Sequence, residues 1–183
     1  MRKHICYFFL RLFGWKAGEP PIPGPKGIIL GVPHTSAWDF IISYLYYYGV
    51  GGKASVMVKK EFFWGPLGPI VRWMGGVPVD RAKGATVAKQ MIDAMNKSEY
   101  MHLAIAPEGT RKRTDNWKTG FHTIAREIGC PVYLGYFDWG TKHVGRGEKV
   151  ELTDDPKADM QRIQEIYEKM NLKGKHPEKY VTK

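Results

Sequence analysis

Residues 27–32, Gly-Ile-Ile-Leu-Gly-Val, form a continuous apolar run that stops at a polar turn; the chain then resumes a helix-like pattern over residues 40–48. A short apolar run between breakers predicts a buried strand, and the stretch after it a helix. The strand signal returns at residues 54–58, 101–106 and 131–137, with a further short one at 142–146. Residues 76–79 read as an edge strand, because Pro78 removes a ladder donor. Between these runs the spacing turns helical. Val87, Met91 and Met95 stack at i+4 beside Ala88 and Ile92, which predicts an amphipathic helix over 86–96 with its methionines in the core. A second helix is predicted over 119–128, closed by Gly129 as its C′ residue. Asp155 and Pro156 make an N-cap and N1 pair for a last helix that turns Met160, Ile163, Tyr167 and Met170 inward. Residues 62–74 are apolar but broken by Gly65, Pro66, Gly68 and Pro69, which suits short helical turns.

Strands alternating with helices predict an α/β fold: a single-domain layered architecture, its mixed and largely parallel central sheet flanked by helices. Residues 2–13 place Ile5, Phe8, Phe9 and Leu12 on one helical face, with Arg2, Lys3 and Arg11 for the polar side. That face suits either a membrane interface or docking on the core. The proline run at 20–25 forbids helix and strand and reads as a stiff connector. The expected organisation over 1–183 is therefore one domain: an amphipathic arm to residue 20, the connector over 20–25, and a core over 26–183.

At 183 residues, 43% hydrophobic and 25% charged, the chain is an ordinary globular one. Its formal net charge of +10 points to a polyanionic partner: nucleic acid, anionic lipid, an acidic carrier protein or a phosphorylated substrate. Cys6 and Cys130 form neither a CxxC pair nor a framework, so both are expected as small buried thiols in a reducing compartment. No uncharged run approaches the roughly 20 residues of a spanning helix. The basic, then apolar, N-terminus lacks the small-residue cleavage site of a signal peptide.

The chemistry gathers where strands end, because open α/β sheets carry their sites on the loops that leave strand C-termini. His34, Lys60, Arg81 and Arg111 all fall at or just after predicted strand ends. In Pro33-His34-Thr35-Ser36-Ala37-Trp38-Asp39 the histidine sits in a strand-to-helix loop and the aspartate in the first helical turn. Helical side chains lean toward the N-terminus, so the Asp39 carboxylate is aimed back at that loop. A carboxylate on one imidazole nitrogen fixes the tautomer and leaves the other nitrogen to accept a proton. The alternative is plainer: His34 caps a turn and Asp39 favours a helix N-terminus electrostatically. There is no G-x-S-x-G elbow, no GxxxxGK[ST] loop and no H-x-x-x-H pair, so neither an enzyme nucleophile nor a metal is expected. A base without a nucleophile suggests that the substrate's own hydroxyl attacks.

Three further blocks join His34-x4-Asp39. They are Gly76-Val77-Pro78-Val79-Asp80-Arg81, Pro107-Glu108-Gly109-Thr110-Arg111 and Pro131-Val132-Tyr133-Leu134, with Lys59-Lys60-Glu61-Phe62 between the first two blocks. Together, over roughly residues 25 to 140, the sequence resembles the glycerolipid acyltransferase superfamily, best known for 1-acyl-sn-glycerol-3-phosphate (lysophosphatidate) acyltransferases, and looks like one of its short bacterial members. The resemblance implies a glycerol-3-phosphate acyltransferase-like fold and an O-acyltransferase in phospholipid biosynthesis. In it His34 is the general base and Asp39 its orienter. Glu108, Gly109, Thr110 and Arg111, with Arg81, shape the pocket for the acceptor's phosphate, and Lys60 adds charge there, with Lys59 an equal candidate. Arginine suits phosphate because its fork binds bidentately. A plainer role for Glu108 is an ion pair holding Arg111 or Arg81. The implied donor is a fatty acyl thioester on coenzyme A or acyl carrier protein, with no further cofactor. The acceptor is a lyso-phospholipid, another lyso-lipid or a non-glycerol alcohol. Two departures stand out: Lys112 and Arg113 make the third block more basic than in many members, and the hydrophobic N-terminal helices of many members shrink here to residues 2–13.

Two other readings compete. A thioesterase-like hydrolase would use the same His34 with water. A basic nucleic-acid binder would use the charge, but no recognised module is present and the charge is dispersed rather than striped, so no nucleic-acid partner is expected. The expected location is cytoplasmic, peripherally on the inner face of the cell membrane, held by the apolar arm and an anionic membrane surface.

Overall fold

A computed structural model of the chain describes residues 1–80 and 86–182. Strand β2 (Lys26–Val32) runs through the middle of the sheet. It pairs in parallel with β5 (Met101–Ile105) on one side and β6 (Val132–Asp138) on the other. Beyond β5 lie β3 (Ala54–Lys59) and then β4 (Gly76–Val79), both parallel. Pro78 thus lies in the edge strand its missing donor requires.

On the far side of β6 the sheet reverses. Strands β7 (His143–Gly145) and β8 (Lys149–Val150) pair antiparallel to β6. Strand β1 (Lys16–Ala17) closes that edge against β7. The segment before the proline run, read from sequence as an arm, therefore enters the sheet and buries Trp15 to 1% exposure. A strand of two residues is too short to show a strand period, which is why pattern alone misses β1.

Alternation along β2 feeds two cores. Ile28, Leu30 and Val32 face one, with Met91 and Met95 of α4 (Val87–Lys97), Phe121 and Ile124 of α5 (Gly120–Ile128), and Ile163 and Tyr167 of α6 (Pro156–Met170). Ile29 faces the other, against α1 (Arg2–Leu12) and α2 (Trp38–Gly49). Burial on both faces explains why the central strands read as unbroken apolar runs. The expected caps are in place: Gly129 closes α5 in the left-handed region, and the Asp155 carboxylate accepts the Lys157 and Ala158 N–H groups. A short helix, α3 (Leu67–Trp73), follows a 3₁₀ turn (Lys60–Phe63). Cys6 is buried but Cys130 is only half-buried.

Helix α1 docks through Cys6 and Leu10, its backbone close to Gly49 of α2. Ile5, Phe8, Phe9 and Leu12 consequently face outward. The helix is docked on the core, and its apolar face is not what docks it.

Candidate active site

Because β6, β2, β5, β3 and β4 are parallel, five loops leave the same edge of the sheet in that spatial order. They carry Trp139, His34, the residues Glu108 to Arg111, Lys60 and Asp80. Arg81 follows Asp80 but lies outside the described residues.

Helix α2 opens at Trp38, which puts Asp39 in its first turn, and the side chain reaches back as its direction demands. Asp39 Oδ2 accepts the Thr35 N–H at 2.8 Å and the Ser36 N–H at 2.7 Å, and lies 3.5 Å from His34 Nδ1. Its Oδ1 accepts the Trp139 indole N–H at 2.8 Å. The carboxylate is 1% exposed and acts as the hub of the loop: two main-chain donors, one indole and the imidazole all converge on it. The His34 contact is longer than an ordinary hydrogen bond, so here it orients the ring mainly by charge. The imidazole is partly exposed, and its Nε2 has no hydrogen-bond partner among the described residues.

Glu108 closes the loop from below. Its Oε2 accepts the His34 backbone N–H at 2.8 Å, with the residue 5% exposed. Burial pushes its carboxyl up to about 8; the Asp39 charge adds to the rise and the His34 N–H opposes it. Of the plainer expectation, an ion pair with Arg111 or Arg81, the Arg111 pair does not occur and Arg81 lies outside the described residues; the described contact is to the backbone of the His34 loop. The carboxyl holds a proton in the fold that it releases when unfolded, between the ordinary value of 4.5 and about 8. Its contribution to stability is therefore full below that window and lost as pH rises through it. Glu108→Gln keeps an acceptor for the His34 N–H and cannot ionise. The variant should gain melting temperature over the parent progressively from about pH 5 to about pH 8, then hold a constant lead. Parallel pH profiles would remove this account of Glu108.

Gly109 has φ +66°, a conformation costly for any residue with a Cβ, and so turns the chain out of β5 toward the surface. The Thr110 hydroxyl accepts the Lys112 N–H at 3.1 Å, which shapes the same loop. Arg111 is exposed and makes no hydrogen bond or ion pair with the described residues. Lys60 is exposed and paired to Asp80 at 2.7 Å, tying the ends of β3 and β4 together two strands away from His34. Lys59, the last residue of β3, is exposed too.

Sequence reasoning missed the clasp behind the loop. Trp139 follows β6, and its ring has two ammonium groups near it, Lys142 Nζ at 4.9 Å and Lys175 Nζ at 5.0 Å from its centre. The segment after α6 then crosses the site. Lys173 donates its N–H to Asp138 and accepts that of Trp139, at 2.9 and 2.8 Å. The His176 N–H donates to the Thr35 hydroxyl at 3.2 Å, and Gly174 packs where a Cβ would stand 2.8 Å from the Thr35 side chain. The only sequence signal was a tryptophan directly after a strand end, and nothing local tied it to Asp39.

A narrow apolar slot lies between α2 and the sheet. Gly31 and Gly135, partners across β2 and β6, form part of its floor, and Phe40, Ser43 and Tyr44 of α2 part of its roof. No metal-binding cluster of His, Cys, Asp or Glu occurs among the described residues.

The solved structure of the 1-acyl-sn-glycerophosphate (LPA) acyltransferase PlsC from Thermotoga maritima is similar, with a TM-score of 0.61 at 16% identity over 92% of this chain and 79% of that one. A search of curated proteins gives no significant match. The family model described as Acyltransferase matches residues 17–133, a span that takes in the His34 loop, Glu108 and Arg111. The chain thus belongs to the acyltransferase family, within the glycerolipid acyltransferase superfamily that its four blocks resemble, and is an acyltransferase.

Proposed function

We propose that the protein moves a fatty acyl group from an acyl thioester, on coenzyme A or acyl carrier protein, to the hydroxyl of a lyso-phospholipid such as 1-acyl-sn-glycerol-3-phosphate. The observation that carries this reading is the His34–Asp39 arrangement: an imidazole oriented on one side by a buried carboxylate and unpartnered at Nε2 among the described residues. His34 Nε2 takes the acceptor's hydroxyl proton as that oxygen attacks the thioester carbonyl. The tetrahedral intermediate then expels the thiolate, and the imidazolium returns the proton to sulfur. No enzyme nucleophile is needed.

A further feature supports the assignment. Arg111, unpaired among the described residues and carried on the neighbouring loop, suits an anionic head group, with Arg81 and Lys60 contributing from the loops beyond. Among the described residues no helix is long and apolar enough to cross a membrane. The outward Phe8 and Phe9 suit attachment to the surface of a bilayer, which we assign to the inner face of the cell membrane.

The test is a panel of acyl-CoA and acyl-carrier donors against lyso-lipid acceptors, reading both ester formed and thiol released. Ester formation that requires His34 supports the proposal; thiol release without acceptor would make the enzyme a hydrolase. Within that panel Arg111→Lys should raise the acceptor's KM several-fold more than the donor's, because the fork is lost while the charge remains. Equal shifts for both substrates would place Arg111 outside the head-group pocket.

A further inference from the structure

The exposed apolar side chains of this protein are distributed very unevenly. Every exposed large hydrophobic residue except Tyr100 precedes Gly75. Helices α4, α5 and α6, covering the opposite face of the sheet, present charged groups such as Lys89, Asp93, Arg126, Glu127, Arg162 and Glu165 to solvent. The face built by α1 is one part of the apolar set. A second, besides Trp38 and Ile41 on α2, lies on the 3₁₀ turn and α3: Phe62 is 55% exposed, Trp64 83%, Leu67 57%, Ile70 53% and Trp73 63%. An apolar area this large and unpartnered marks an interaction surface rather than ordinary scatter.

These two parts are joined. The Arg2 guanidinium, at the start of α1, lies 3.9 Å from the centre of the Tyr48 ring and 4.1 Å from that of Trp73, and donates to the Trp73 carbonyl at 3.1 Å. It staples the first turn of α1 to the last turn of α3, so both apolar faces belong to one surface. Charge on that surface has one dominant sign. Residues 1–17 hold Arg2, Lys3, Arg11 and Lys16 and no Asp or Glu, and α3 adds Arg72. The 3₁₀ turn begins where β3 ends, on the sheet edge that carries His34 and Glu108.

From this we propose that residues 62–73 form a second docking wing which, with α1, lays the protein on an anionic bilayer with the rim of the site against the lipid. The proposal rests on the lipid-acceptor reading above. Tryptophan and leucine beside cationic side chains are the chemistry of an anionic interface. A second copy of the chain is the poorer occupant, since a two-fold contact would bring like charges together.

The experiment is cosedimentation with vesicles of phosphatidylglycerol and phosphatidylcholine, free of lyso-lipid and thioester, so its result does not depend on acyl transfer. Trp64→Ser with Leu67→Ser removes exposed side chains and should leave the melting temperature in place, while partitioning onto the vesicles falls about tenfold or more. Phe8→Ser with Phe9→Ser should weaken binding comparably, and high salt should weaken the parent. Brominated phospholipid should quench the parent's tryptophan emission, and Trp64→Phe, which keeps the wing apolar, should lose part of that quenching. Unchanged partitioning in the wing variant, or unchanged quenching in Trp64→Phe, would overturn the proposal. So would a lipid-free dimer of the parent that the wing variant turns into a monomer while still binding vesicles.

Discussion

His34→Ala should lower the rate of acyl transfer by roughly 10²- to 10⁴-fold while the protein keeps its fold. The imidazole is partly exposed and belongs to no hydrophobic cluster, so truncation removes little packing. The two bonds that hold the loop's backbone nearest the base, His34 N–H to Glu108 and Thr35 N–H to Asp39, do not involve the ring and survive the change. The measurement is kcat alongside the melting temperature. A folded variant with near-parental turnover would remove His34 as the base and the proposed mechanism with it.

Asp39→Asn should be nearly as damaging to the rate, roughly 10²- to 10⁴-fold, and should also cost stability. The carboxylate offers an acceptor on each side: Oδ2 to Thr35, Ser36 and the imidazole, Oδ1 to the Trp139 indole. An amide has one acceptor. With its oxygen toward Thr35 and Ser36, its NH₂ meets the indole N–H donor to donor. Turned round, it leaves two main-chain donors unmet. Each buried unmet donor costs about 1–3 kcal/mol. Trp139→Phe removes the indole donor and lets the amide take the first orientation. The stability deficit of Asp39→Asn should therefore be smaller in a Trp139→Phe background, and part of the lost rate should return. Additive losses in the double variant would show that Trp139 does not act through Asp39.

The local part of this arrangement was legible in the sequence. His34 and Asp39 are joined within one loop and one helical turn, and the side-chain direction of helices predicts the rest. Pro78 at the edge, Gly129 as a cap and Asp155 with Pro156 were readable for the same reason: each obeys a rule that spans a few residues. What could not be read joins distant segments. The Glu108 bond to His34 spans 74 positions and the Trp139 bond to Asp39 spans 100, and neither leaves a periodic trace. For a different reason, the sequence leaves open which way the α1 apolar face turns. Periodicity identifies an apolar face but not which side a neighbour covers, and here Cys6 and Leu10 make the contact with the core. Four short blocks carried the family across these gaps, because a motif keeps chemistry together where spacing alone does not.

The clasp over the His34 loop sets an order of events on the ribosome. His34, Thr35 and Asp39 leave the exit tunnel early, followed by the strand that supplies Glu108. The His176 N–H that closes on Thr35 is made 141 positions later, with Trp139 in between. A chain caught midway through synthesis thus carries His34 and Asp39 without the indole donor to Asp39 and without the His176 N–H that holds Thr35. Contacts so far apart in sequence form only after most of the intervening chain has been placed. The His34 loop is consequently among the first parts of this protein to be translated and among the last to be finished.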